Sequence, residues 1–186
     1  MSAGVLVVVA AGPGLGRAVA LRFAREGYAV GLLARSTAKL AGLADEVRSA
    51  GAAEVATVEA DVADEESLRS ALRGLADQLG PATVLVFNGS AYVEGSVLSL
   101  STADLRRAVA VGVTGAMVAA QEVAPAMRSA GAGAVLLTGS IAADRASRSA
   151  AAVGVAKAGL RNLAMSLQKE LADDGVRVVS VTIDGV

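Results

Sequence analysis

The residues that could do chemistry begin with a glycine turn. Ala10, Ala11, Gly12, Pro13, Gly14, Leu15, Gly16 and Arg17 follow a short apolar run and lead directly into a helical pattern. Glycines at a strand-to-helix turn let the backbone approach a pyrophosphate, and the helix start adds N–H donors and a favourable dipole. Gly12, Gly14, Leu15 and Gly16 are therefore expected to hold a dinucleotide, although tight turns of other kinds also use glycine. After the second apolar run, where an acidic residue would bind ribose hydroxyls, the chain reads Leu33, Ala34, Arg35, Ser36. A guanidinium beside a hydroxyl suits a 2′-phosphate, so NADP(H) is expected over NAD(H); the bland alternative for Arg35 is a solvated loop cation.

Composition narrows the rest. The 186 residues contain no Cys and no His, which removes thiol nucleophiles, thiolate zinc sites and disulfides. Acid and base work falls to Asp, Glu, Lys, Tyr or water. Lys plus Arg number 17 and Asp plus Glu 18, interspersed along the chain, which argues against nucleic acid or an anionic membrane as a partner. No metal is expected either. Glu59, Asp61, Asp64, Glu65 and Glu66 are neighbours in sequence, but the last three open a helix whose dipole their charge complements. The uncharged, Ala- and Val-rich stretch Ala108 to Gln121 is short for a membrane span, and no cation precedes the apolar run Val5 to Ala11. A cytoplasmic chain with neither transmembrane helix nor signal peptide is the expectation.

Short apolar runs alternate with longer Ala-rich stretches of helical period, the pattern of a βαβ fold. The runs are Val5 to Ala10, Ala29 to Ala34, Val55 to Ala60, Thr83 to Phe87, Ala134 to Thr138 and Arg177 to Ile183, all expected as buried parallel strands. Ser36, Asp64 and Ser101 with Asp104 read as helix starts, and Gly27, Gly51 and Gly80 as helix stops. The expected fold is an α/β, Rossmann-like doubly wound parallel sheet of order 3-2-1-4-5-6 with helices on both faces, one domain over 1–186. Ser101 to Ala130 and Ser149 to Asp173 are apolar around much of their circumference, which points to helix-to-helix contact in a homo-oligomer rather than sheet packing alone.

These residues together resemble the short-chain dehydrogenase/reductase family over essentially the whole chain. Its TGxxxGxG turn aligns with Val9, Ala10, Gly14 and Gly16, its DV pair with Asp61 and Val62, and its NAG with Asn88, Gly89 and Ser90. The resemblance implies that these positions contact pyrophosphate, adenine and the adenine-side ribose or stabilise the sheet. The family's YxxxK helix aligns with Val153 to Lys157, and Ser140 lies thirteen residues before Val153, at the spacing of the family's catalytic serine. Asp184 and Gly185 align with a PG pair whose backbone meets the nicotinamide carboxamide, and the family continues into a substrate-covering segment and a further strand.

The departures bear on mechanism. Val153 replaces the catalytic tyrosine and Gly112 the asparagine of VNxxG, while Ala10 replaces the first glycine of the turn. Valine has no proton to give. Lys157, one helical turn after Val153, is expected to bind the nicotinamide ribose, and Ser140 to orient a carbonyl or simply to make a strand-end turn bond. Tyr92, four residues past Asn88, is weighed as a displaced proton donor and reads better as a loop aromatic. The reading is an atypical NADP(H)-dependent oxidoreductase acting on an unidentified small molecule. Its rivals are a non-catalytic NADP(H)-binding sensor or partner subunit and, more weakly, an interaction scaffold.

Overall fold

Apolar runs make strands that need cover, and the computed structural model, which describes residues 3–184, arranges six strands in one parallel sheet. The first half of the chain forms β1 (Val5–Val9), α1 (Leu15–Ala24), β2 (Ala29–Ala34), α2 (Ala41–Ser49), β3 (Val55–Glu59) and α3 (Glu65–Leu79). The second half forms β4 (Val84–Phe87), α4 (Thr102–Val109), α5 (Gly115–Ala130), β5 (Gly133–Ser140), α6 (Ala151–Leu171) and β6 (Val176–Ile183). The sheet order is β3-β2-β1-β4-β5-β6, as expected. Every residue of β1 and β4, the central pair, is buried.

Alternation along β1 decides which helix meets which strand face. Val5, Val7 and Val9 pack with Leu68 and Leu75 of α3, Met127 of α5 and Leu160 of α6. Leu6 and Val8 pack the other way, against Ala20 of α1 and Val47 of α2. Arg69 and Arg73 of α3 reach Glu122 of α5 at 3.2 and 2.8 Å. Burial acts to raise the Glu122 carboxyl, but the two guanidiniums overcome it and hold the group below its ordinary value.

Several local expectations need correction. β1 ends at Val9 rather than Ala10, because Ala10 turns to φ 58°. β3 is an edge strand ending at Glu59; Ala56 is its one buried residue, so it is not the continuously buried strand expected. Thr83 lies just outside β4, where its hydroxyl accepts from Val5 N at 3.0 Å. β5 and β6 are longer than expected, and the edge strand β6 leaves Val179, Val181 and Ile183 exposed. Ser36 makes no capping bond and starts only the 3₁₀ turn Thr37–Lys39, with α2 delayed to Ala41; Thr37 N donates to Glu59 instead, and Leu40 N closes the short turn on the Thr37 carbonyl at 2.9 Å.

Asp64 caps α3 as expected, accepting from Ser67 N at 3.0 Å. At α4 the box is half made: Ser101 Oγ accepts from Asp104 N, but the Asp104 carboxylate takes the Ser101 hydroxyl proton instead of the backbone one. Gly27, Gly51 and Gly80 all take positive φ beyond their helices. A π turn, Ala110–Thr114, interrupts what reads as one helix from Ser101 to Ala130. By length and composition 102–130 is long and apolar enough to cross a membrane, contrary to the sequence estimate, yet 56% of its most apolar window is buried inside the fold, as in a core helix.

Candidate functional site

At the C-terminal end of β1, the Asn88 amide of the neighbouring strand end braces the left-handed Ala10, with Nδ2 donating to the Ala10 carbonyl at 3.4 Å. Asn88 N also donates to the Val9 carbonyl at 3.0 Å. Beyond Ala10 the crest of the turn is open: a Cβ on Gly12 or Gly14 would meet nothing within 4 Å. Gly16 differs, since a Cβ there would stand 3.2 Å from Ala11 Cα; this glycine lets α1 close on the sheet. Leu15 begins α1, and Gly14 caps it without a side chain. Backbone at a helix start, unobstructed where a ligand would approach, fits the pyrophosphate of a dinucleotide.

Past β2, Arg35 opens onto a hollow of about 320 Å³ whose other walls are Glu59, Ala60, Asp61 and Ser67. The structure thus brings Arg35 and Asp61 together, as a bound adenosine would require. Ser36, half-buried beside Arg35, is not part of the wall. Asp61 Oδ1 accepts from Ala63 N at 3.0 Å, and Arg107 of α4 approaches Oδ2 at 3.8 Å. Val62 is buried. Glu59 was not expected here; its Oε2 accepts from Thr37 N at 3.4 Å.

The other half of the crevice lies over β4 and β5. Gly89 follows Asn88 where no side chain fits, since a Cβ would stand 2.7 Å from the Phe87 ring and 3.0 Å from the Val111 carbonyl. Lys157 is buried, 5% exposed, and its Nζ donates to the Thr138 carbonyl at 2.6 Å and the Gly89 carbonyl at 3.3 Å. The ammonium thus ties the ends of β4 and β5 together, a role that the sequence did not suggest. Burial lowers its pKa from 10.5 to about 8. Thr138, also unforeseen, is buried and donates its hydroxyl to the Phe87 carbonyl at 3.2 Å.

Ser140 closes β5, and its Oγ accepts from Ala142 N at 3.2 Å, so the turn bond expected of a strand-end serine is present and its hydroxyl proton stays available. Val153 lies in the first turn of α6, half-buried. Gly112 is buried within the π turn, and a Cβ there would stand 3.2 Å from Ala156 Cβ, so the missing side chain lets α6 close on that turn. Tyr92 is 68% exposed in the loop after β4. That loop is clasped to the segment before α6: Gly95 N donates to the Ser149 carbonyl at 2.8 Å and Ala151 N to the Gly95 carbonyl at 3.3 Å. Gly185 lies outside the described residues. Among the described residues no three Asp or Glu gather as metal ligands.

The family model for short chain dehydrogenases matches residues 4–186. A 3-dehydrosphinganine reductase of Arabidopsis thaliana is 33% identical over 168 residues, covering 89% of this chain and 50% of that protein. The chain therefore spans about half the length of that relative. Meso-2,3-butanediol dehydrogenase of Serratia marcescens is 33% identical over 95% of this chain and 69% of its own length. Among solved structures, a metagenomic short-chain oxidoreductase in complex with NADP superimposes with a TM-score of 0.93 at 28% identity, over 100% of this chain and 84% of that one. NAD+-bound xylitol dehydrogenase gives a TM-score of 0.93 at 27% identity, over 98% of this chain and 70% of that one.

Proposed function

The chain belongs to the short-chain dehydrogenase family, and from that premise we propose that it is an NADP(H)-dependent oxidoreductase whose substrate proton comes from a group other than a side chain at position 153. The observation that carries this is the open Gly12–Gly14 crest beside a hollow walled by Arg35 and Asp61. The NADP and NAD+ complexes among similar structures support a nicotinamide cofactor without choosing between the two. When bound, the reduced nicotinamide supplies hydride.

In this reading Gly12, Gly14, Leu15 and Gly16 receive the pyrophosphate, Arg35 and Ser36 the 2′-phosphate, Asp61 and Val62 the adenine, and Asn88 and Gly89 the adenine-side ribose. Lys157 takes the nicotinamide ribose with the third N–H of its ammonium, the other two serving the Gly89 and Thr138 carbonyls, and Ser140 orients the acceptor with its hydroxyl proton. Val153 offers no proton, so a polarised C=C acceptor suits the site better than a ketone. Water or the substrate itself supplies the proton that completes the reduction, so the exposed Tyr92 is not needed. A homo-oligomer through α5 and α6 is part of the proposal, supported by a groove of about 580 Å³ between them walled by Met117, Ala124, Pro125, Leu163 and Leu167. So is a cytoplasmic site of action.

The second reading, a non-catalytic NADP(H) sensor or partner subunit, is favoured by one observation: with Val153 and Gly112 at those positions, Lys157 has no side-chain partner among the described residues, and its ammonium serves two backbone carbonyls instead. Titration of NADPH and NADH, followed by nicotinamide fluorescence, tests the cofactor claim. Tighter NADPH binding, levelled by Arg35→Ala and weakened by Lys157→Ala, is the expected result. Binding of neither nucleotide would end both readings and leave a scaffold. With binding intact, a panel of enones and ketones that leaves NADPH unoxidised favours the sensor.

A further inference from the structure

We propose that Glu59 is the residue that limits discrimination between NADPH and NADH, its carboxylate opposing the 2′-phosphate that Arg35 attracts. The inference rests on the cofactor reading above. Register places it there: Glu59 pairs with Ala34 across β2 and β3, level with the residue before Arg35, and both charged side chains wall the same hollow. Among the described residues neither forms an ion pair, so the two are not spent on each other.

The Glu59 carboxylate rests on Thr37 N–H at 3.4 Å, the backbone donor two residues beyond Arg35. A carboxylate oxygen on that donor occupies the kind of place that a phosphate oxygen beside Arg35 would take. A 2′-phosphate entering the hollow therefore competes for the donor and meets a like charge, with Asp61 on the same wall adding to it. A 2′-hydroxyl meets no such repulsion and finds an acceptor in Glu59. Arg35 and Glu59 consequently pull selectivity in opposite directions, and the preference of the intact protein is smaller than Arg35 alone would give.

The test is to titrate NADPH and NADH, and 2′,5′-ADP as a probe without nicotinamide, into the unaltered protein and Glu59→Gln. Glu59 is exposed, so the amide exchange leaves the core untouched. NADPH and 2′,5′-ADP are expected to bind about fivefold tighter to Glu59→Gln, with NADH changing by less than about twofold. The gain should shrink as salt is raised, because the repulsion is screened. If NADPH binds and Glu59→Gln shifts both nucleotides equally, or neither, the inference is overturned and the cofactor reading stands. If the unaltered protein binds none of the three, both are overturned together.

Discussion

Replacing Lys157 by Met should abolish most of the pH dependence of folding stability between pH 7 and 10. In the folded protein burial lowers the Lys157 pKa from 10.5 to about 8, so between these values the unfolded chain binds more protons than the folded one. Stability therefore rises with pH through this window, and the penalty for holding a buried ammonium is fully present below pH 8. A shift of 10.5 − 8 = 2.5 units corresponds to about 3 kcal/mol at neutral pH, of which about 2 kcal/mol is recovered by pH 10. Met removes that penalty but leaves the Gly89 and Thr138 carbonyls without their donor, at a cost of about 1–3 kcal/mol. The two effects roughly offset at pH 7, so the slope is diagnostic and the level is not. Urea unfolding at pH 7, 8, 9 and 10, taken as the difference between the two proteins, isolates the contribution of this one ammonium. The difference should change by about 2 kcal/mol in favour of the lysine as pH rises. Parallel profiles would refute the claim that the ammonium is desolvated.

Three further outcomes are expected. Ala10→Gly should stabilise the fold by about 0.5–1 kcal/mol, because glycine relieves the left-handed φ of 58° while losing more chain entropy; an unchanged denaturation midpoint would show that Ala10 carries no strain. Val153→Tyr, one turn before Lys157, should confer or raise reduction of simple ketones with NADPH, and a turnover that stays at background would show that the loss at Gly112 is decisive on its own. Met117→Lys places a charge on the partly exposed wall of the α5–α6 groove and should halve the mass seen by light scattering; an unaltered mass would place any self-association elsewhere.

The sheet was legible because its central strands are long aliphatic runs, VLVVV and VLVF, that no other arrangement covers on both faces. The edges were harder: VATVE is half-exposed and ends in a glutamate, so its limit depends on tertiary contacts. The π turn was invisible, since Ala110–Thr114 obeys the same apolar period as its flanking helices, and the neighbour that Gly112 meets there, Ala156, belongs to α6 and is distant in sequence. At the candidate site, the glycine crest and Arg35 could be placed because their types are restricted by backbone geometry or charge, whereas Asp61 was placed through the family resemblance alone. Glu59 could not, because a carboxylate at a strand end looks like ordinary solvated surface. Neither could the partners of Lys157, which are main-chain carbonyls and therefore have no residue type to betray them.

The clasp between Gly95 and the 149–151 backbone has a kinetic consequence. Two loops that are far apart in sequence, one bearing Tyr92 and the other leading into α6, share a pair of interlocking hydrogen bonds and so open in a single cooperative event. Their amides at Gly95 and Ala151 should exchange with deuterium at matched rates, slower than those of the exposed loop tip at Leu98. A change made in either loop is therefore expected to reach the other through these two bonds.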